Sequence, residues 1–313
     1  MAFLSVVIPL YNKENFIKDT VEGVFNQTYS DFELLVIDDC STDNSYKIVS
    51  QFVDPRLSII SHKTNKGLSA SRNTGIKNST SNYIAFLDAD DLWKPHFLEE
   101  IVDLIKTYPK ASLFATNYEE IIDKKVIVVT NNGAEKIGNK QILVDNYFTL
   151  SLKQPLYNQS SFCVKKEIFE KIGFYNEKIT FGEDVDFNIR AHMNFKLAYS
   201  NCSLSQYNTI SENQITQSNL SSKILTDFDY YEKEYPSDIS LKKFLDFQRY
   251  TKAKMYKMEG NSAKYRQLKK GISLLNLNWK QVILLYLPTY FLHKIKVWKQ
   301  QKLKKGKRFT SYN

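Results

Sequence analysis

The chain has 313 residues, 42% apolar and 14% aromatic, which is enough to bury a sizeable core and excludes a disordered segment. Its 43 Lys and Arg against 34 Asp and Glu give a net charge of +9, but thirteen of the basic residues and none of the acids follow Glu259. Residues 1–259 therefore hold 30 basic against 34 acidic side chains, so the charge describes a basic tail on a slightly acidic body rather than a basic protein.

Cys40, Cys163 and Cys202 are odd in number, far apart and without CxxC spacing. That argues against a disulfide framework or a zinc site and for a reducing compartment. Met1 to Leu10 lacks a basic head and runs into strand-like sequence, so no secretory leader is expected.

In chain order, "LSVVIPL" (4–10) is a β-branched apolar run of strand length. "ENFIKDTVEGVFNQ" places Phe16, Ile17, Val21, Val24 and Phe25 at helical spacing. A strand is predicted at "FELLVID" (32–38), a helix at 41–53, a strand at 57–62, a helix near 68–78 and a strand at "YIAFLD" (83–88). This β-α repetition predicts an α/β fold, a mostly parallel sheet with helices on both faces. Beyond residue 110 the pattern loosens, with strands suggested at "SLFATNY" and "KVIVVT" and a helix start at "GEDVDF". From about residue 220 it becomes helical and lysine-rich. The expected organisation is thus a domain over 1–219, divided near residue 110, and a helical basic region over 220–313.

In such sheets a ligand crevice lies beyond the carboxyl ends of the strands. Pro9 to Glu14, Asp38 with Asp39, and Asp88 to Asp91 occupy those ends. The turn "PLYNKEN" has no glycine, which disfavours a dinucleotide-binding dehydrogenase. Asp88, Asp90 and Asp91 fall within four positions. At ~4 Å two carboxylates repel by about 1 kcal/mol in water and about 4 kcal/mol at a protein surface, so something must offset them.

"VVIPLYNKENFI", "NQTYSDFELLVIDDCSTDNS", "NKGLSASRNTGI" and "YIAFLDADDLW" resemble, in order and spacing, the nucleotide-sugar-binding half of family 2 glycosyltransferases with the GT-A fold. The likeness runs over roughly residues 4–200. It implies a nucleotide-sugar donor, usually a UDP-sugar, and a divalent cation, Mg or Mn, at the DxD. It places Pro9 and Tyr11 at the base, Tyr11 as a stacking ring, Asp39 as acceptor for the uracil N3 proton, Arg72 near the nucleotide, and Glu14 in the same pocket or as a helix-start charge. Asp90 becomes a direct metal ligand, Asp88 a contact to ribose or metal, and Asp91 a turn cap. "GEDVDF" resembles the family's ED motif, which makes Asp184 the base of an inverting transfer to a glycan or lipid-linked hydroxyl in surface polysaccharide synthesis. Thr180 and Glu183 have capping-box spacing. Gln159, Ser160 and Ser161 resemble the polar acceptor-side loop, Trp93 is a candidate sugar-subsite floor or a packing residue, Glu183 is a candidate on the acceptor side as well as a cap, and His192 is expected on the helix surface or in the core rather than as base.

"WKQVILLYLPTYFLHKIKVWKQQKLKKGKRF" is too short in its uncharged run to span a bilayer. Its aromatic residues followed by Lys and Arg suit an anionic membrane surface instead. Nucleic acid is disfavoured, since no recognition module accompanies the tail. The chain is expected to be cytoplasmic, at most peripheral on the membrane. Alternatives are a nucleotidyltransferase on a related sheet, which would release pyrophosphate, and a non-catalytic nucleotide- or RNA-binding protein.

Overall fold

The computed structural model describes residues 2–122, 125–128, 140–152, 154–211, 218–307, 309 and 311. β1 (Leu4–Leu10) is buried along its whole length, because alternate side chains feed two cores. Leu4, Val6 and Ile8 join one cluster with α1 (Ile17–Phe25) and α4 (Phe97–Thr107), and Val7 joins the other with α3 (Leu68–Asn78). β2 (Phe32–Asp38) divides likewise, Leu34 and Val36 to one side and Leu35 and Ile37 to the other. A strand covered on both faces reads as continuous apolar sequence, which is why these two were legible.

β1 pairs in parallel with β2 and with β4 (Tyr83–Phe86), and β2 with β3 (Leu57–Ser61). The parallel prediction holds there. Past β4 the sheet is mixed. β9 (Phe162–Lys165) runs antiparallel between β4 and β6 (Leu113–Ile122), while β6 and β10 (Leu197–Asn208) pair in parallel. β5 (Leu92–Trp93) and β8 (Gln141–Val144) add antiparallel to β10, and β7 (Lys125–Val128) to β6. The strand order is β3-β2-β1-β4-β9-β6-β10-β5. Of the strand expected at "KVIVVT", Val129 and Thr130 lie outside the described residues. The helix expected over 41–53 shortens to α2 (Ser45–Val49), because Ser41, Thr42 and Asp43 hydrogen-bond to the neighbouring strand tip instead.

α5 (Tyr147–Leu150), α6 (Ile168–Ile172) and α7 (Glu183–Asn194) complete the second half. α8 (Phe228–Glu234), the 20-residue α9 (Ile239–Met258), α10 (Ser262–Lys270), α11 (Trp279–Tyr286) and α12 (Thr289–Lys304) form the helical carboxyl region. Phe228, Tyr231, Leu241, Phe244 and Leu245 enter the same cluster as Val7 and Phe187, so one core runs through the expected division at residue 220. Buried Arg249 ties these helices together, donating to Asp229 at 2.7 Å and pairing with Glu232 at 2.6 Å. Among the described residues no helix is long and apolar enough to cross a membrane.

Candidate active site

The first two strand tips are clasped to one another. Asn12 Oδ1 accepts from Thr42 N at 2.8 Å, Lys13 N donates to Ser45 Oγ at 2.8 Å, and Glu14 N to Asp43 Oδ2 at 3.0 Å. Glu14 Oε2 returns two bonds to Asn44, at N and Nδ2. Glu14 is therefore a clip on the start of α2, not a first-turn charge on α1, which begins three residues later. Pro9 is buried inside β1, opposite Ile37. Tyr11, just past the tip, keeps its ring exposed.

Asp39 is buried, and its carboxylate latches the loop before α3. Oδ1 accepts from Lys66 N and lies 2.6 Å from His62 Nδ1, and Oδ2 accepts from Gly67 N at 2.7 Å. A carboxylate offers about four lone-pair positions, so this leaves one, on Oδ2.

α3 lies hard against β1: a Cβ on Gly75 would sit 2.3 Å from Val7 Cγ1, so only glycine allows this approach. The close seating buries Arg72 completely and aims its two terminal nitrogens at different acids. Nη2 donates to Asp88 Oδ1 at 2.8 Å and Nη1 to Glu183 Oε1 at 2.7 Å, with Cζ 5.4 Å from the Tyr175 ring centroid. Burial opposes this charge, but the attraction of Asp88 and Glu183 outweighs it and raises the Arg72 pKa. Arg72 thus serves these acids directly.

Three acids at one turn meet three different fates. Asp88 has Arg72. Asp90 Oδ2 has Lys13 Nζ at 2.8 Å, and that ammonium also donates to Ser211 Oγ. Asp91 is buried, accepting from Ser160 Oγ at 2.5 Å and from Asn208 N at 2.9 Å; burial first, then Asp90 and Asp88, push its pKa well above the carboxylate range. It joins the turn to β10, which corrects its reading as a simple turn cap. The chain's own cations therefore offset much of the repulsion among these carboxylates.

The capping box at Thr180 does not form. The N-cap of α7 is Gly182 in the left-handed region at φ 71, Thr180 pairs with Ile224, and Glu183 is taken by Arg72. Burial, followed by Asp184 and against Arg72, raises the Glu183 pKa. Asp184 stands in the first helical turn, half-buried, its Oδ1 accepting from Val185 N.

Trp93 is packed: it is buried, stacked on Phe97 at 4.2 Å, and donates to Ser160 O. Gln159, Ser160 and Ser161 form a buried 3-10 turn bracing Asp91 and Tyr175. His192 stacks on Tyr147 and contacts Tyr157, as expected for a packed residue.

Sequence reasoning missed Lys13, His62 and Lys252. Lys13 lies inside a quoted motif and His62 at the end of a predicted strand, yet only the fold shows that they face Asp90 and Asp39. Lys252 comes from α9, its ammonium 4.5 Å from the Phe181 ring centroid and within electrostatic reach of Asp184 and Glu183. No motif flags it.

The fold is similar to that of Staphylococcus aureus TarS. A TarS 1-349 structure in complex with UDP-GlcNAc matches 88% of this chain and 74% of its own at a TM-score of 0.59 and 17% identity. The glycosyl transferase family 2 model matches residues 5–173, and the chain belongs to that family. Glycosyltransferase GlyA of Streptococcus pneumoniae is 30% identical over 65% of this chain and 30% of its own. The Escherichia coli UDP-Glc:alpha-D-GlcNAc-diphosphoundecaprenol beta-1,3-glucosyltransferase WfgD is 36% identical over 51% of this chain and 63% of its own. The chain thus spans less than two thirds of the length of these relatives.

Proposed function

We propose that the protein moves a sugar from a UDP-sugar to a hydroxyl of a glycan or lipid-linked acceptor, with inversion at the anomeric carbon, in surface polysaccharide synthesis. One observation carries this reading: Arg72 bridges Asp88 of the DxD to Glu183, so the donor-side acids and Asp184 belong to one cluster. The names of WfgD and of the TarS complex support the donor class, and that of WfgD the lipid-linked acceptor. Three free cysteines support a reducing, cytoplasmic setting.

Asp184 takes the proton of the acceptor hydroxyl as its oxygen bonds to the anomeric carbon, and the bond from that carbon to the diphosphate oxygen breaks on the opposite side. A carboxylate is much less basic than an alkoxide, so the proton moves late, once bond formation has acidified the oxygen. Tyr11 offers its exposed ring to the uracil face. The remaining Asp39 Oδ2 lone pair suits the N3 proton. Pro9 and Glu14 set the shape of that tip from behind.

The donor set fits a divalent cation. Asp88 Oδ2 and Asp90 Oδ1 have no hydrogen-bond partner among the described residues, and no cluster of three metal-binding side chains occurs there. Mg or Mn suits such a pair completed by substrate oxygens. Held by Asp90 and Asp88, the ion would supply Lewis-acid stabilisation of the departing diphosphate.

The test is a panel of nucleotide sugars assayed for nucleoside diphosphate release with and without EDTA. Release is expected from a UDP-sugar, dependent on metal, and reduced about 100-fold or more in Asp184→Asn. Pyrophosphate as product, or an unimpaired Asp184→Asn, overturns the reading.

A further inference from the structure

α12 presents large apolar side chains to water. Tyr290 is 62% exposed and Phe291, Val297 and Trp298 are each above 40%. Positions 290, 291, 294, 297 and 298 recur at the i, i+1, i+4, i+7, i+8 spacing of one helical face. Leu292 lies on the opposite, packed side. The polar member of the stripe is Lys294, whose Nζ stands 4.5 Å from the Tyr290 ring centroid, so its stem lies along the apolar surface. α11 repeats the arrangement: Trp279, Ile283 and Tyr286, at i, i+4 and i+7, are exposed while Leu285 is buried.

A contiguous aromatic stripe left in water signals a binding surface, and its charge identifies the occupant. Seven lysines fall between Lys294 and Lys307, and no acid follows Glu259. α12, at 16 residues with lysine throughout, cannot cross a bilayer. A helix with an aromatic face and lysine flanks lies in the plane of an anionic lipid interface, rings at headgroup level and ammonium groups against phosphates. Nucleic acid would use the lysines and leave Val297 and Ile283 in water. An acidic protein partner would likewise leave much of the aromatic stripe unmatched.

We propose that the outer faces of α11 and α12 dock this protein on a bilayer containing anionic phospholipid. The inference rests on these helices alone and is independent of the sugar-transfer reading.

The experiment is co-sedimentation of the full chain with vesicles of phosphatidylcholine alone and of phosphatidylcholine mixed with phosphatidylglycerol. Pelleting is expected with the mixed vesicles only, weakening as salt screens the lysines. A Tyr290→Ser/Trp298→Ser variant, changed at exposed positions only, should lose about tenfold or more of this partitioning at low salt with an unchanged melting temperature. Lys296→Ala/Lys302→Ala should weaken binding and flatten its salt dependence. Wild-type protein left in the supernatant at low salt overturns the proposal. So does undiminished pelleting of the serine variant, which would mark a purely electrostatic tail, or retention on single-stranded RNA or dimerisation that the serine variant abolishes while vesicle binding persists.

Discussion

Arg72 Nη1 lies 2.7 Å from Glu183 Oε1, across 111 residues of sequence, and the same guanidinium holds Asp88. One buried cation therefore sets the distance between the DxD turn and the first turn of α7. Removing one partner of a buried ion pair costs about 3–5 kcal/mol, because the other charge is left without compensation. Arg72→Met is expected to lower stability by about that much in denaturant titration and to abolish diphosphate release. Arg72→Lys should recover part of the stability and little activity, since a single ammonium cannot span two carboxylates as a planar fork does. Wild-type turnover in Arg72→Met would show that the bridge is not needed.

Asp90 and Asp91 are neighbours with opposite expected sensitivities. Asp91 is buried with a raised pKa, so its neutral form is favoured in the fold and an amide can replace it. Asp91→Asn should stay within about 1 kcal/mol of wild type, whereas Asp91→Leu strands Ser160 Oγ and Asn208 N at about 1–3 kcal/mol each. The sign in pH follows. A carboxyl with a raised folded pKa stabilises most below its unfolded value near 3.9, and this is lost as pH rises through the folded value. Asp91→Asn should therefore gain on wild type as pH rises from 4 to 8. Asp90→Asn leaves the largely buried Lys13 ammonium without its counter-charge, so it should melt below wild type and lose metal-dependent activity. The reverse order in turnover assays would reassign the two roles.

What the sequence disclosed follows from what is local. β1, β2 and α3 emerged at their observed bounds because burial on two faces, or tight seating on a strand, writes itself into consecutive residues. The antiparallel return of β9 between β4 and β6 did not, since "FCVK" is too short to declare its partners. At the candidate site, motif register pointed to Asp88, Asp90 and Asp184. It could not show that Arg72 faces Glu183, that Lys13 covers Asp90, or that Trp93 and Ser160 are structural, because these depend on contacts between segments 67 to 111 residues apart.

Lys252 tests whether the carboxyl helices complete the site. Burial lowers its pKa, against the pull of Asp184 and Glu183. Taking that positive charge away disfavours the ionised form of a nearby carboxylate. Lys252→Met is expected to shift the acidic limb of the pH–rate profile upward by several tenths of a unit and to reduce turnover below neutrality more than above it. An unchanged acidic limb would place Lys252 outside the reaction's electrostatics.

His192 gives a pH dependence of folding separable from catalysis. Its ring stacks on Tyr147 with centroids 3.6 Å apart, and Nε2 lies 2.8 Å from Tyr157 Oη. Burial lowers its pKa to about 3, against about 6.5 in an unfolded chain. Between those values the unfolded chain binds a proton that the fold refuses. The stabilisation is complete above about pH 6.5 and is lost as pH falls toward 3. His192→Gln keeps a hydrogen-bond partner for the Tyr157 hydroxyl, which itself donates to Asn188 Oδ1, and removes the titration. The variant is expected to be the less stable of the two at pH 7.5, through lost stacking, and to close that gap as pH falls from 6.5 to 4. Melting curves that stay parallel across this range would mean that the ring takes up its proton inside the fold.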